Sequence, residues 1–331
     1  MNNPDQSQLF FALTPDEVLN AVEGGGYEPS GHINALHCFE NRVHDIRLED
    51  GDHIVTKFYR PGRWTREAIQ EEHDFLAALC DAEIPVCAPI RFEDGETIHE
   101  VAGIFYAVWP RVGGRSPDEL TDEQIEILGR LLARIHNVGG TETEGRLVLS
   151  AESYGFENLD FLEANRFLPV TWASRYSDAV HNICKIYEDL SADVPFHRIH
   201  GDCHYGNLLN GRDGWFFVDF DDMLIGPAVQ DVWLLLPGQD DYAKSQRALF
   251  IEAYRQFRPF ENRWLRLIEP LRALRFIRYA AWIARRWHDP AFPAAFPHFG
   301  SEQYWQRETL DLELQITKIE QEAVTASMYS V

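Results

Sequence analysis

Two stretches past the middle of the chain, IHGDCHYGNLL at 199–209 and WFFVDFDDML at 215–224, gather Asp202, His204, Asn207, Asp219, Asp221 and Asp222 around an apolar run. Asp202 and Asn207 stand five positions apart. In that spacing an aspartate takes the proton of a substrate hydroxyl while an asparagine holds a metal ion. His200 sits two positions before the aspartate, where such a loop carries a histidine. The run WFFVDF reads as a buried strand that delivers Asp219 at its far end. The turn chemistry of residues 211–214 lets NLLN at 207–210 fold back as its partner. That brings Asn207 within one position of register of Asp219. A carboxylate and an amide oxygen form a hard, oxygen-only site suited to Mg²⁺. A lone D-x-x-x-x-N is a weak signal, but H-x-D-x-x-x-x-N, a turn and an apolar strand ending in aspartate form a specific set. The chemistry it fits is phosphoryl transfer. Asp202 and Asp219 are the expected catalytic residues, and Asn207 and Asp219 the expected metal ligands.

The neighbouring residues have blander readings. Cys203 and His204 are adjacent and have no second Cys/His pair nearby, which argues against zinc. His200 reads as a packed structural histidine. Asp221 and Asp222 read either as a supporting charge behind Asp219 or as a solvated loop.

Phosphoryl transfer also asks for a lysine on the nucleotide phosphates and a glutamate to orient it. HIVTKFY places Lys57 in a strand. On the helix TREAIQEEHDFLAALCDA, the residues Ile69, Leu76 and Leu79 form one stripe with Glu72 at its centre, while Glu71 points away. A carboxylate on an apolar face demands a partner. Lys57 is the natural one.

The elements that carry these residues divide the chain into a strand-rich first third and a helical remainder. TPDEV at 14–18 opens a helix through a capping box. RVHDIRLEDGDHIVTKFY reads as strands 42–48 and 53–59 about an Asp50-Gly51 turn. GIFYAVW at 103–109 reads as another strand. After PRVGGR the helical period takes over, first in TDEQIEILGRLLARIHNVG, then over 172–190, 227–236, 242–257 and 264–287. The expected fold is α+β, a bilobal kinase-like arrangement. Residues 1–109 form a β-rich nucleotide lobe and 110–331 a helical catalytic and substrate lobe, with a hinge near 108–115.

The 331 residues, 45 % of them hydrophobic, provide ample core and exclude a disordered chain. A net charge of −23 opposes nucleic-acid and membrane binding. The opening segment lacks a leader pattern, and five scattered cysteines without a CxxC spacing read as reduced thiols, so a cytoplasmic protein is expected. Against this acidic background Arg263 to Arg286 carries seven arginines and one glutamate. Arg272, Arg275 and Arg278 trace a strip along one helix side, either a solvated cationic face or the rim of a groove for acidic polypeptide.

No G-x-G-x-x-G loop precedes Lys57; CFENRVHDI stands there instead. Together with ENRV, KFYRPGRWT, EEHDF, PVCAPI, VGGR, HGDCHYGN, GPAVQD, LIEPLRALR and RRWHDPAFP in order, this chain resembles the bacterial stress response kinase A family. Those are serine/threonine protein kinases of the aminoglycoside phosphotransferase and choline-kinase-like superfamily. The resemblance implies Asp202 as proton acceptor, Asn207 and Asp219 as magnesium ligands, and Lys57 as the nucleotide lysine. It also implies that Asp231 braces the catalytic loop. Backbone groups of VWPRV, around Trp109 and Arg111, would meet adenine. Cys38 stands where relatives carry a serine near ATP, which weakens any side-chain contact there. The implied protein is a monomeric kinase in stress protection, taking ATP, Mg²⁺ and a protein substrate. A small-molecule phosphotransferase for a cationic metabolite or antibiotic is the alternative. A catalytically dead binding module is disfavoured because the full residue set is present.

Overall fold

The segment RVHDIRLEDGDHIVTKF folds into antiparallel strands β2 (Arg42–Leu48) and β3 (His53–Phe58), paired from Arg42 opposite Phe58 to Arg47 opposite His53. Gly51 turns the chain between them at φ 93°, a left-handed conformation that a side chain would strain. Strand β1 (Pro29–Leu36) flanks β2, and β5 (Ile104–Pro110) pairs with β3 so that Lys57 faces Ala107. With β4 (His99–Val101) the sheet runs β1-β2-β3-β5-β4. Ile46, Ile54, Phe58, Tyr106 and Val108 pack its core with Val18 and Val22 of helix α1 (Pro15–Gly24). Thr14 and Glu17 cap that helix reciprocally.

This computed structural model describes residues 9–10, 13–36, 38–140, 145–212 and 214–328, with side chains to residue 322. Asp213, in the expected hairpin turn, and residues 1–8 of the opening segment, expected to lack a leader pattern, lie outside the described residues. The architecture is α+β, with an antiparallel sheet in the N-terminal part and helices over most of the C-terminal part. Two units, each assembled from discontinuous segments, make up the chain. No helix among the described residues is long and apolar enough to cross a membrane.

The first unit comprises Met1–Arg146, Asp202–Met223 and Asp240–Arg258. Besides the sheet it holds α2 (Arg66–Asp81), α3 (Asp122–Gly139), α7 (Asp241–Tyr254) and the hairpin of β7 (Leu208–Gly211) and β8 (Gly214–Phe217). Thr65 starts α2 by accepting the Ala68 amide at 3.2 Å. Gly129 of α3 lies so close to α7 that a Cβ there would stand 2.5 Å from the Phe250 carbonyl. Only a glycine admits this approach. The hairpin pairs Leu208 with Phe217, and Val218 N donates to Asn207 O at 3.0 Å. The strand therefore ends at Phe217 and does not reach Asp219, because Asp219 adopts the left-handed φ 62°, ψ 67°, which no strand continues.

The second unit comprises Leu147–Gly201, Leu224–Gln239 and Pro259–Val331. It holds α4 (Glu157–Ala164), α5 (Val170–Ser191), α6 (Val229–Leu235), α8 (Ile268–Arg285), α9 (Ala291–Ala295) and α10 (Glu302–Met328). The ladder of β6 (Phe196–Ile199) and β9 (Leu224–Pro227) threads it. Tyr176, Ile183, Tyr187, Leu274, Ile277 and Trp305 are buried in its helical core. Two arginines of the α8 strip stack on aromatic rings. Arg272 lies 4.8 Å over the Trp233 ring and donates to Pro237 O, while Arg278 lies 4.3 Å over the Tyr154 ring. Guanidinium groups stack on aromatic faces in this way because they are weakly hydrated.

Candidate active site

Lys57 is the centre of the site in the first unit. It is 8 % exposed, and a buried ammonium is tolerated only when paired. Its Nζ reaches Asp221 Oδ1 at 2.8 Å, Asp219 Oδ1 at 3.2 Å and Glu72 Oε1 at 3.4 Å. Burial alone would lower the lysine pKa, but the three carboxylates outweigh it and raise the pKa well above its usual value. Below Nζ lie the rings of Trp109 at 5.0 Å and Tyr59 at 5.3 Å. Tyr59 OH meets His73 Nε2 at 2.9 Å, and His73 Nδ1 meets Thr97 Oγ1 at 2.8 Å. Burial, then the Lys57 charge, push the His73 pKa down to about 3, so this imidazole is neutral.

Asp221 is buried at the hub of a second set of bonds. Its Oδ2 accepts from Asn41 Nδ2 at 2.6 Å and from Arg63 Nη1 at 2.9 Å, while Arg63 Nη2 binds Asp222 at 2.7 Å. Arg146, also buried, donates to the backbone carbonyls of Asp221, Met223 and Ala68. Burial would raise the Asp221 pKa, but the Lys57 and Arg63 cations hold it below the usual carboxylate range. Glu72 behaves oppositely. Burial pushes it up to about 7 against the pull of Lys57, and its Oε2 has no hydrogen-bond partner among the described residues.

The loop that carries Asp202 and Asn207 continues the site. Asn207 Nδ2 donates to Asp202 O at 2.9 Å, which turns the amide oxygen of Asn207 away from that contact. Asp202 Oδ2 lies 3.3 Å from His204 Nε2. Cys203 is fully buried while the His204 ring is 43 % exposed, so the two side chains point apart. In the second unit, the buried Asp231 carboxylate accepts the backbone amides of His200 at 2.8 Å and Gly201 at 2.9 Å. These are the two residues that precede Asp202 in the chain.

Comparison with known proteins follows the same outline. Residues 36–268 match the model of the APH phosphotransferase enzyme family. The chain belongs to that family. Stress response kinase A of Escherichia coli (strain K12) is 40 % identical over 311 residues, 93 % of this chain and 94 % of that protein. The serine/threonine protein kinase RdoA of Salmonella typhimurium is 39 % identical over 307 residues, 92 % of this chain and 93 % of that protein. Among solved structures, amicoumacin kinase hAmiN in complex with AMP-PNP, Ca²⁺ and Ami aligns at TM-score 0.69 and 19 % identity, covering 86 % of this chain and 92 % of that one. Spectinomycin phosphotransferase APH(9)-Ia with ADP and spectinomycin aligns at TM-score 0.64 and 16 % identity, covering 92 % and 98 %. Those two likenesses carry the fold.

In this phosphotransferase the remaining expected nucleotide residues are placed as follows. Cys38 follows β1, half-buried, and its Sγ accepts the Asn41 amide at 3.4 Å. Burial raises the thiol pKa, and the charges of Asp219 and Asp221 add to it against backbone hydrogen bonds. The Trp109 side chain is buried beneath Lys57. The Arg111 side chain binds Asp45 Oδ2 at 3.1 Å, and the other Asp45 oxygen meets His53 Nδ1 at 2.7 Å, so this guanidinium is held by the sheet. The donor set fits Mg²⁺: Asn207 offers an amide oxygen fixed by its own Nδ2 bond, and the Asp219 side chain is 46 % exposed.

Three further side chains, whose role no local sequence period marks, support the site. Asn41 and Arg63 anchor Asp221, and Arg146 anchors its backbone. The usable signal was Arg63 itself, an arginine in a turn with no carboxylate of opposite charge beside it in sequence.

Proposed function

We propose that this phosphotransferase moves the γ-phosphoryl group of ATP, with Mg²⁺, to serine or threonine hydroxyls of proteins. The observation that carries the reading is the meeting of Lys57 with Asp219, Asp221 and Glu72 in the unit that also holds the Asp202–Asn207 loop. Lys57 would bind the nucleotide phosphates, oriented by Glu72 from α2. Asn207 and Asp219 would hold Mg²⁺, which when bound neutralises charge on the phosphate oxygens. Asp202 would orient the acceptor hydroxyl and take its proton, and backbone groups around Trp109 and Arg111 would receive adenine.

A protein acceptor is supported by the relative named serine/threonine protein kinase RdoA, and a role in stress by those named stress response kinase A. A small hydroxyl compound is the second reading. It is favoured by solved neighbours named for amicoumacin, spectinomycin and aminopropanol. Purified protein with radiolabelled ATP, a generic protein substrate and a panel of small hydroxyl compounds decides between them. Label on protein supports the first reading; efficient transfer to a small molecule alone replaces it with the second.

A further inference from the structure

His204 stands beside the proposed base in a geometry that fixes its chemistry. Its Nδ1 accepts the backbone N–H of Gly206 at 2.9 Å, so in the neutral ring the proton must sit on Nε2. That nitrogen lies 3.3 Å from Asp202 Oδ2. Protonation of Nδ1 would set two N–H groups against each other. The ring is therefore held as a one-sided donor toward the aspartate. Gly206 guards the arrangement from the other side. A Cβ at that position would come within 2.7 Å of His204 Cε1 and 2.9 Å of Nδ1, so any larger residue displaces the ring.

We propose that His204 is a positioning residue for phosphoryl transfer, helping to fix the Asp202 carboxylate by donating from Nε2 to Oδ2. The proposal rests on the reading of Asp202 as the base. In the step itself the acceptor oxygen bonds to the γ-phosphorus while the bond from that phosphorus to the β–γ bridging oxygen breaks. The acceptor proton passes to the Asp202 carboxylate, and the bridging electrons leave with the nucleoside diphosphate. His204 neither gives nor takes a proton. Its polarity is the reverse of a nucleophile triad, where histidine is the base and the carboxylate holds it. With that contact gone the carboxylate is freer to turn about its bond to Cβ, and misplacing a reacting group by about 1 Å is enough to slow a step by about 10²-fold.

Two conservative variants separate this role from a purely structural one. In His204→Gln the amide nitrogen can take the place of Nε2, whereas in His204→Asn the amide oxygen can take the place of Nδ1 as acceptor for Gly206. His204→Gln is expected to keep kcat within several-fold of the parent. His204→Asn and His204→Ala should lower it roughly 10- to 100-fold, with KM for ATP changed less than about twofold. Gly206→Ala should match His204→Ala. In an Asp202→Asn background His204→Ala should cause no further loss. Nitrogen-15 spectra of the histidine-labelled, folded protein should show His204 protonated on Nε2. If asparagine rescues and glutamine does not, His204 only caps its own loop and the proposal is overturned. Additive losses with Asp202→Asn, a rise in KM at unchanged kcat, or an Nδ1-protonated ring overturn it equally. Full turnover by Asp202→Asn alone would instead remove the base on which the proposal rests.

Discussion

Lys57 Nζ lies 2.8 Å from Asp221 Oδ1, closer than to Asp219 or to Glu72. The nearest partner of the proposed nucleotide lysine is therefore a carboxylate two residues beyond the proposed metal ligand, itself clamped by Arg63 and Asn41. Removing it leaves Lys57 with Asp219 and Glu72, and Arg63 with Asp222, but takes from both their shared carboxylate. Asp221→Ala should cost about 1.5–3 kcal/mol of stability, the usual worth of a buried hydrogen bond to a charged group. Combined with Arg63→Ala the loss should fall well short of the sum of the single losses. Urea unfolding of the four proteins checks this, and an unchanged midpoint for Asp221→Ala would refute the assignment.

Asp202→Asn should lower kcat by about 10²–10⁴-fold, the usual consequence of losing a general base, with ATP affinity nearly intact. Steady-state kinetics and a nucleotide titration measure the two quantities separately. Wild-type turnover would take Asp202 out of the mechanism.

Asp219→Ala should abolish the part of nucleotide affinity that depends on Mg²⁺, because the ion links protein and phosphates. Calorimetric titrations with and without Mg²⁺ give the comparison. If the variant retains the wild-type magnesium dependence, the metal is held elsewhere.

Glu72 supplies a pH dependence. Its carboxyl titrates at about 7 in the folded chain against an ordinary value of 4.5. Between those values the folded form holds a proton that the unfolded chain has released, so this residue's contribution falls as pH rises through the window. On going from pH 4.5 to above 7, the parent should lose roughly 2–3 kcal/mol relative to Glu72→Gln. Denaturant midpoints for both proteins at pH 5 and pH 7.5 report the difference. A constant gap between them would show that Glu72 is ionised throughout.

Much of this arrangement is legible in sequence because it obeys local periods. Ile69, Leu76 and Leu79 mark the inner face of α2, and Glu72 lies on that face, buried. Alternation and the Asp50-Gly51 turn locate the β2–β3 hairpin and with it Lys57. Asp221 was harder to read, since an aspartate followed by another aspartate in a short turn has the composition of a solvated loop. Its burial follows from Arg63, 158 positions away in sequence, and from Asn41, 180 positions away, and no local period registers such distant partners. The same limit applies to α8: periodicity finds the arginine strip, but the stacking of Arg272 on Trp233 and Arg278 on Tyr154 depends on residues from other segments.

The left-handed backbone of Asp219 narrows what evolution can write at that position. Glycine and asparagine adopt such a conformation readily but bring no negative charge, while glutamate brings the charge without asparagine's or aspartate's tolerance for it. Each substitute fails a different requirement, and the two failures have different signatures. A chain of this fold with glycine there would keep its loop and lose the proposed metal ligand, and one with asparagine would keep an oxygen ligand without its charge. A chain with glutamate must rebuild the loop around it, which marks an enzyme whose chemistry has survived a change of geometry. The residue at this one position thus sorts descendants of the fold by their history.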